Sequence, residues 1–192
     1  MYSKQGTTVT KKKIYRPIGT SGAKYGWAGI TPAEFTERMK LASARFLKLK
    51  KEIDIDALAF CGSSGCAIAF SLATTHHIPL IYVRKLNESS HSNYTVECND
   101  STINIKKYLI VDDFVDTGGT VNHIVKSIRK YARNVGAYPA KPVGVLCFDP
   151  YVDKDRTMQT SVVSLKLFTV DTAQSLSTES SQSKHVLTNC KW

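Results

Sequence analysis

The residues best suited to chemistry lie together at 112–120. Asp112 and Asp113 are adjacent acids that follow an apolar run, and Asp116 comes three residues later, just before a Thr-Gly-Gly-Thr segment. Neighbouring carboxylates hold vicinal hydroxyls or a hydrated cation. Glycines let the backbone approach a ligand, and the amide N–H groups at a helix start bind phosphate. The combination indicates a phosphorylated sugar with hydroxyl groups, bound together with a divalent cation.

Apolar runs predict the strands that must position these acids. They lie at 55–60, 78–83, 108–111 and 143–148, with a fifth candidate at 162–170. Because the runs are continuously apolar rather than alternating, they are typical of a parallel sheet covered on both faces. We therefore predict an α/β fold: a doubly wound parallel sheet with helices on both faces, and a small hood formed by the N-terminal or C-terminal segment.

Helix signals separate these runs and define the expected domain. Thr31 as N-cap, Pro32 at the first helical position and Glu34 three residues after the cap predict a helix of about five turns. Two further helical stripes lie at 66–73 and 121–132. We expect a basic arm over 1–30 that can form part of the hood, one α/β domain over 31–170, and a polar tail over 171–192 that docks back.

Polar clusters follow the predicted strands. They are Gly62–Gly65, Arg84-Lys85, the stretch 112–120, and Asp149. Ligands of parallel sheets bind outside the carboxyl ends of the strands, so we expect these clusters to meet at one site. Residues 86–102 show no buried-strand pattern, and a loop of this length in a compact domain is usually functional.

Charge and cysteines limit the cellular context. The 192 residues carry a net charge of +10, and residues 1–51 hold twelve Lys or Arg against two acids. This segment fits either an anionic partner or a plain solvated surface. Five cysteines without a Cys-x-x-Cys pair, and no secretory signal, predict a reducing cytoplasm. No apolar run is long enough for a membrane span.

Other interpretations of the two glycine-containing clusters are weaker. An Asp-Asp pair after a strand also occurs in phosphoacceptor receiver domains, where no Thr-Gly-Gly-Thr follows, and the stretch 112–120 could be a structural turn. Gly62-Ser63-Ser64-Gly65 is not a P-loop, because no Gly-Lys-Ser/Thr follows it.

The stretch 108–121 resembles the 5-phosphoribosyl-1-pyrophosphate (PRPP) motif of the type I phosphoribosyltransferases: an apolar strand, two acids, a short variable segment and Thr-Gly-Gly-Thr. The order of elements from about 53 to 149 is similar as well. The resemblance implies a PRPP-binding domain over 31–170. It also implies an enzyme that moves the 5-phosphoribosyl group from PRPP to a nucleobase, nearest in motif to the purine members, with Mg²⁺ as cofactor.

The same resemblance implies the roles of individual residues. Asp112 and Asp113 would hold the ribose hydroxyls and, directly or through water, Mg²⁺. Asp116 would be the general acid or base near the purine. The remaining roles are those of three groups: the 5-phosphate cradle of Asp116, Thr117, Gly118, Gly119 and Thr120; the pyrophosphate site of Gly62, Ser63, Ser64, Gly65, Arg84 and Lys85; and a mobile loop containing Ser92, Asn93 and Tyr94.

Asp149 and Phe148 are the candidate base-binding residues. In xanthine/guanine-type members a Lys-Pro pair ends the strand after the motif helix, and here that position holds Asp149-Pro150. A carboxylate would accept a hydrogen bond from an exocyclic amino group and would repel a 6-oxo group. Alternatively, Asp149 only caps the following turn.

Two further functions stay open. One is a PRPP-sensing regulator whose basic N-terminal segment binds nucleic acid, which no recognised nucleic-acid motif supports. The other is a phosphoribosyltransferase that acts on a pyrimidine or another acceptor. We expect PRPP and a nucleobase as partners, a homodimer or higher homo-oligomer, and no membrane association.

Overall fold

The computed structural model describes residues 31–86, 88, 94–100, 104–148 and 155–170. The three helices are α1 (Pro32–Glu52), α2 (Gly62–His76) and α3 (Gly119–Asn134). The seven strands are β1 (Ala57–Cys61), β2 (Leu80–Val83), β3 (Val96–Cys98), β4 (Lys107–Asp112), β5 (Lys141–Cys147), β6 (Arg156–Gln159) and β7 (Ser164–Thr169). The expected arm and hood, the tail, Ser92, Asn93 and Asp149 lie outside these residues.

The strands form one sheet in the order β3-β2-β1-β4-β5-β7-β6. The five central strands are parallel, and only the edge strands β3 and β6 run antiparallel to their neighbours. The predicted parallel α/β sheet is therefore confirmed. After β1 the chain moves to one side of the sheet to form β2, and it returns on the other side as β4, so the strand order reverses between β1 and β4. Open α/β sheets bind ligands at such a switch point.

Alternating residues of the central strands feed two separate cores. Leu58, Phe60, Leu109 and Val111 pack against α1 and α2 on one face. Their sequence neighbours, including Ala59 and Ile110, pack with the apolar stripe of α3 on the other face. Burial on both faces explains why these strands appear in the sequence as continuous apolar runs.

The start of α1 is as predicted. Thr31 accepts a hydrogen bond from the Glu34 amide, and the Glu34 carboxylate accepts one at 2.7 Å from the Thr31 amide. This capping box satisfies N–H groups that the first turn would otherwise leave unpaired. Within the described residues, no helix has the length and apolar character that a membrane crossing requires.

Two sequence predictions need correction. Helix α2 begins at Gly62 rather than near Cys66, so the Gly62–Gly65 segment is its first turn and not a separate loop. The stretch 86–102 also contains a strand, β3, which pairs antiparallel with β2. Three residues are too few to show a periodicity, and the pairing with β2 that defines this strand is a tertiary contact. Strand β6 was likewise not predicted.

Candidate active site

Asp112 and Asp113 lie at the carboxyl end of β4, at the switch point. Asp112 is the last residue of the strand, and both aspartates are buried, with 3% and 5% exposure. Asp112 Oδ1 accepts a hydrogen bond from the Asp113 amide at 3.1 Å, and Asp113 Oδ1 accepts one from the Phe114 amide at 2.9 Å. The second Asp113 oxygen, Oδ2, is buried without a hydrogen-bond partner. A buried, unsatisfied carboxylate oxygen is costly unless a ligand satisfies it.

Burial and the neighbouring Asp113 carboxylate raise the pKa of Asp112. Two carboxylates this close in a poorly solvated place oppose each other's ionisation. The strand ends at Asp112, and Asp113 is the first residue of the turn that follows. A bound cation or sugar hydroxyls would stabilise the charged form of the two acids.

The turn after the aspartates encloses a small cavity of about 310 Å³, lined by Asp112, Phe114–Gly118, Thr120 and Val121. Gly118 is the N-cap of α3 and has φ of +74°, a left-handed conformation that favours glycine. A Cβ there would also lie 2.9 Å from the Thr160 methyl group. Asp116 and Thr117 are exposed. The predicted phosphate cradle is therefore an open turn that leads into the first turn of α3.

The start of α2 lies beside this turn, on the neighbouring strand β1. Gly62 has φ of +68°, and a Cβ at this position would overlap the Lys85 side chain. A Cβ on Gly65 would lie 2.5 Å from the Val111 carbonyl oxygen, so only glycine allows α2 to begin this close to β4. The structure thus brings Gly62, Gly65 and Lys85 to the aspartates.

Both of these helices begin without a side-chain cap. Their N-cap residues, Cys61 and Gly118, make no side-chain capping bond, in contrast to the capping box of α1. The first N–H groups of a helix lack partners within the helix, and they form a natural site for anions. Two such sites therefore flank the carboxylate pair.

Arg84 and Lys85 are adjacent in sequence but make different contacts. Arg84 Nη2 forms an ion pair with Glu97 of β3 at 2.7 Å, its Nε donates to the Tyr94 carbonyl, and its guanidinium lies over the Tyr82 ring. Lys85 lies over Gly62, where its charge favours the ionised forms of Asp112 and Cys61. The described contacts place Lys85 at the site and hold Arg84 against the β3 edge, so the pyrophosphate role of Arg84 stays a prediction.

The cysteines at the start of α2 lie in surroundings that favour the thiol form. Cys61 is buried, and burial raises the pKa of its thiol to about 11. Burial also raises the pKa of Cys66. Burial therefore favours the thiol form of both side chains at neutral pH, and buried thiols pack as small hydrophobic residues.

The aspartates suit a cation that is shared with a substrate. Within the described part of the chain, no three His, Cys, Asp or Glu side chains come together as a metal site. Mg²⁺ often binds through one or two carboxylates together with substrate oxygens. The partnerless Oδ2 of Asp113 and the adjacent Asp112 fit that arrangement, and the sequence prediction of a metal at these two residues stays a prediction.

Among the base-binding candidates, Phe148 is corrected by the structure. Its side chain is 1% exposed and packs in the core beside α1 and α2, so it does not present a surface to a base. The sequence could not show this, because a short apolar run does not indicate which of its side chains point into the core.

Tyr94, predicted in the mobile loop, is 66% exposed and lies beside α3.

Two residues near the site were not predicted. Phe114 is 38% exposed and lines the small cavity. His123 of α3 forms a hydrogen bond of 2.6 Å between its Nε2 and the Arg84 carbonyl oxygen, which ties the segment after β2 to α3. The only sequence signal for Phe114 was its place in the variable segment of the motif. His123 gave no sequence signal, because its hydrogen-bond partner is 39 residues away in the chain.

Comparison with known proteins supports the motif. No protein-family model matches the chain. It is 33% identical over 97 residues to an adenine phosphoribosyltransferase of Ureaplasma parvum, which covers 44% of the chain and 56% of that protein. It is 27% identical over 109 residues to an adenine phosphoribosyltransferase of Agathobacter rectalis, covering 50% and 63%.

A third relative has a different role. The chain is 26% identical over 124 residues to the purine biosynthesis transcriptional repressor PurR of Bacillus subtilis, which covers 57% of the chain and 42% of that protein. The chain spans about half the length of the curated relatives it matches. The resemblance predicted from residues 108–121 is thereby confirmed: over about half its length this chain is similar in sequence to purine phosphoribosyltransferases.

Proposed function

We propose that the protein binds PRPP together with Mg²⁺ and transfers the 5-phosphoribosyl group to a nucleobase, releasing pyrophosphate. The observation that carries the proposal is the buried Asp112–Asp113 pair at the switch point, between two helix N-termini without side-chain caps. A ligand with two vicinal hydroxyls between two phosphate groups matches this arrangement of acceptors and donors. The names of the two adenine phosphoribosyltransferases support a purine as the acceptor.

PRPP would lie across the carboxyl ends of β1 and β4. The 5-phosphate would occupy the 310 Å³ cavity at the start of α3. Asp113 Oδ2 and the Asp112 carboxylate would accept hydrogen bonds from the ribose hydroxyls. The pyrophosphate would then meet the first turn of α2 and the Lys85 ammonium. The hydroxyls would thereby meet carboxylate acceptors, the 5-phosphate the backbone amides at the start of α3, and the pyrophosphate the α2 amides and a cation.

These residues stabilise the charge that develops during transfer. As the bond from ribose C1 to pyrophosphate breaks, negative charge accumulates on the leaving group, and Lys85 with the α2 amides would stabilise it. Mg²⁺, when bound, neutralises charge on the pyrophosphate oxygens. Asp116 is exposed beside the cavity and would serve as the general acid or base that exchanges a proton with the purine. Such a reaction would salvage purine bases.

The similarity to PurR supports a second candidate, a regulator that retains the PRPP pocket as a sensor. The net charge of +10 in residues 1–51 is consistent with a nucleic-acid partner for it. The two candidates differ in chemistry, because only an enzyme releases pyrophosphate.

A homodimer or higher oligomer belongs to the same proposal. An open cavity of about 800 Å³ lies beside the start of α2 and strands β2 and β3, and it is lined by Gly62 and Lys85 as well as by aromatic residues. Phe70 in its wall is 52% exposed and contacts the Phe60 ring edge-to-face. Apolar surface of this kind is typical of an interface between subunits. We also propose a cytoplasmic location, from the cysteine usage.

Two measurements test the function. Isothermal titration with Mg·PRPP asks whether the pocket binds, and pyrophosphate release with adenine, guanine, hypoxanthine, xanthine and two pyrimidines asks whether it reacts. Binding with release on one base supports the enzyme. Binding without release on any base favours the sensor, and absence of Mg·PRPP binding contradicts both.

A further inference from the structure

A groove of about 630 Å³ runs along α3, on the face of the helix that points toward the residues leading into β3. We call it the α3 groove. Its α3 wall begins beside Gly119 and continues through Asn122, Lys126 and Lys130, which recur every three or four residues and so form one stripe of the helix, with Tyr131 next to Lys130. Tyr94 stands on the opposite wall. The proposed PRPP reaction uses Gly119 and assigns Tyr94 to its mobile loop, but it uses none of the other side chains named here.

The Asp, Glu, Lys and Arg content of α3 is entirely basic. Its 16 residues include Lys126, Arg129, Lys130 and Arg133 and contain no Asp or Glu. None of the ion pairs between described residues involves this helix. Lys126 and Lys130 are four positions apart and both line the groove, a like-charge spacing that weakens a helix. An anionic ligand in the groove would compensate that repulsion.

Exposed tyrosine rings accompany the lysines. Tyr94 is 66% exposed and Tyr131 43%, and they stand on opposite walls of the groove. Both also line an adjoining cavity of about 560 Å³ that leads to Tyr138, which is fully exposed. Lys126 and Tyr131 are five residues apart, about 7.5 Å along the helix axis, so the two lysines and the α3 ring lie within the length of two or three neighbouring nucleotides of a strand.

We propose that the α3 groove binds single-stranded nucleic acid. Lys126 and Lys130 would contact backbone phosphates, and Tyr131, with Tyr94 and Tyr138, would stack on bases. Alternation of cations with exposed aromatic rings is how proteins hold single strands without reading their sequence. A duplex offers phosphates but keeps its bases stacked inside, and an acidic peptide would leave the rings without partners. The proposal does not depend on the PRPP reaction.

Fluorescence anisotropy with labelled 12-nucleotide oligouridine RNA, oligothymidine DNA and a 12-base-pair duplex tests the proposal on the full chain. We compare Lys126→Ala/Lys130→Ala with Lys50→Ala/Lys51→Ala, a double change of equal charge on exposed positions of α1. Each phosphate contact on a single strand contributes about 0.7 to the salt exponent. Losing two contacts should therefore lower the slope of log K against log salt concentration by about 1.4. If the variant and wild type bind equally at 1 M salt, this difference corresponds to about 60-fold weaker binding of the variant at 50 mM salt. The α1 variant should stay within about twofold of wild type.

The tyrosine is tested with a conservative partner. Tyr131→Ala should weaken single-strand binding about tenfold at every salt concentration, whereas Tyr131→Phe keeps the ring and should bind like wild type. Thermal melts establish that the variants fold, and Mg·PRPP titration of the α3 variants should be unchanged, which separates this proposal from the proposed function.

Four outcomes would overturn the proposal. In two of them the wild-type protein fails to bind either single strand at 50 mM salt, or binds the duplex as tightly as a single strand. In the other two, Tyr131→Ala binds as wild type does, or deletion of residues 1–13 abolishes binding while the α3 variants bind normally. A preference for RNA or for DNA would define the ligand within the proposal.

Discussion

Replacing Gly65 with alanine tests whether the start of α2 must touch β4 for the site to form. The new Cβ would lie 2.5 Å from the Val111 carbonyl oxygen and 3.1 Å from Phe60 Cβ, and ordinary contact begins at 3.4 Å. Because the closest atom belongs to the backbone of a central strand, it cannot rotate away. The first turn of α2 must therefore shift by about 0.9 Å relative to the end of β4.

The expected cost of Gly65→Ala follows from two opposing effects. Overpacking of a well-packed interior costs up to about 3 kcal/mol, and alanine recovers about 1 kcal/mol through its higher helix propensity. The net loss of about 2 kcal/mol in the free energy of unfolding lowers the thermal midpoint by about 4–8 °C for a chain of this size. A shift near 1 Å between the pyrophosphate site and the aspartates would also lower turnover by up to about 10²-fold.

Gly119→Ala is the matched control, since it also adds a methyl group to the first turn of a helix. Its Cβ would meet only Thr117 Oγ1, at 3.6 Å, which is an ordinary contact. Differential scanning calorimetry should show an unchanged or slightly raised midpoint for this variant. If Gly65→Ala has the same thermal midpoint as the control and binds Mg·PRPP as wild type does, the close approach of α2 to β4 is not what assembles the site.

Three further predictions concern the charged groups. Lys85→Ala should weaken Mg·PRPP binding in titration calorimetry more than Arg84→Ala does, because Arg84 is engaged by Glu97; equal losses would contradict the different roles of the two cations. Asp112→Asn, without ligand, should stabilise the protein at pH 8 and do so less at pH 5. The raised pKa of Asp112 contributes stability that is lost as pH rises, and the amide removes that loss; urea unfolding at both pH values should show a constant difference if this is wrong. Asp116→Asn should leave Mg·PRPP binding near normal and reduce pyrophosphate release about 10²-fold or more, and full activity of the variant would end its catalytic assignment.

The position of the site could be predicted because its determinants are local. Continuous apolar runs encode strands with two buried faces, and polar residues after such runs indicate the binding edge of the sheet. Asp112 and Asp113 were found in this way, since adjacent acids after a buried strand are uncommon without a ligand. Gly62 and Gly118 were predicted at the site because glycine lets the backbone approach a ligand, and both have positive φ angles in the structure.

Contacts between distant segments could not be predicted. The pairing of Arg84 with Glu97 depends on the register of β3 against β2, and a strand of three residues leaves no periodic signal. The burial of Phe148 depends on the α1 side of the sheet, which the run at 143–148 does not identify. The α3 groove was missed for a similar reason, because its second wall comes from another part of the chain.

The two uncapped helix starts have a consequence for how ligands compete. The two helices follow β1 and β4 in the chain, and these are neighbouring strands of the sheet, about 4.8 Å apart. A molecule that carries a phosphoryl group at each end gains a chelate advantage, because its second end binds at an effective concentration in the millimolar range once the first is held. Under the proposed reaction, cutting the bond from ribose C1 to pyrophosphate would break this linkage. Pyrophosphate would then hold only the α2 site, and the nucleotide, which keeps the 5-phosphate, only the α3 site, so each product would dissociate more readily than the intact substrate.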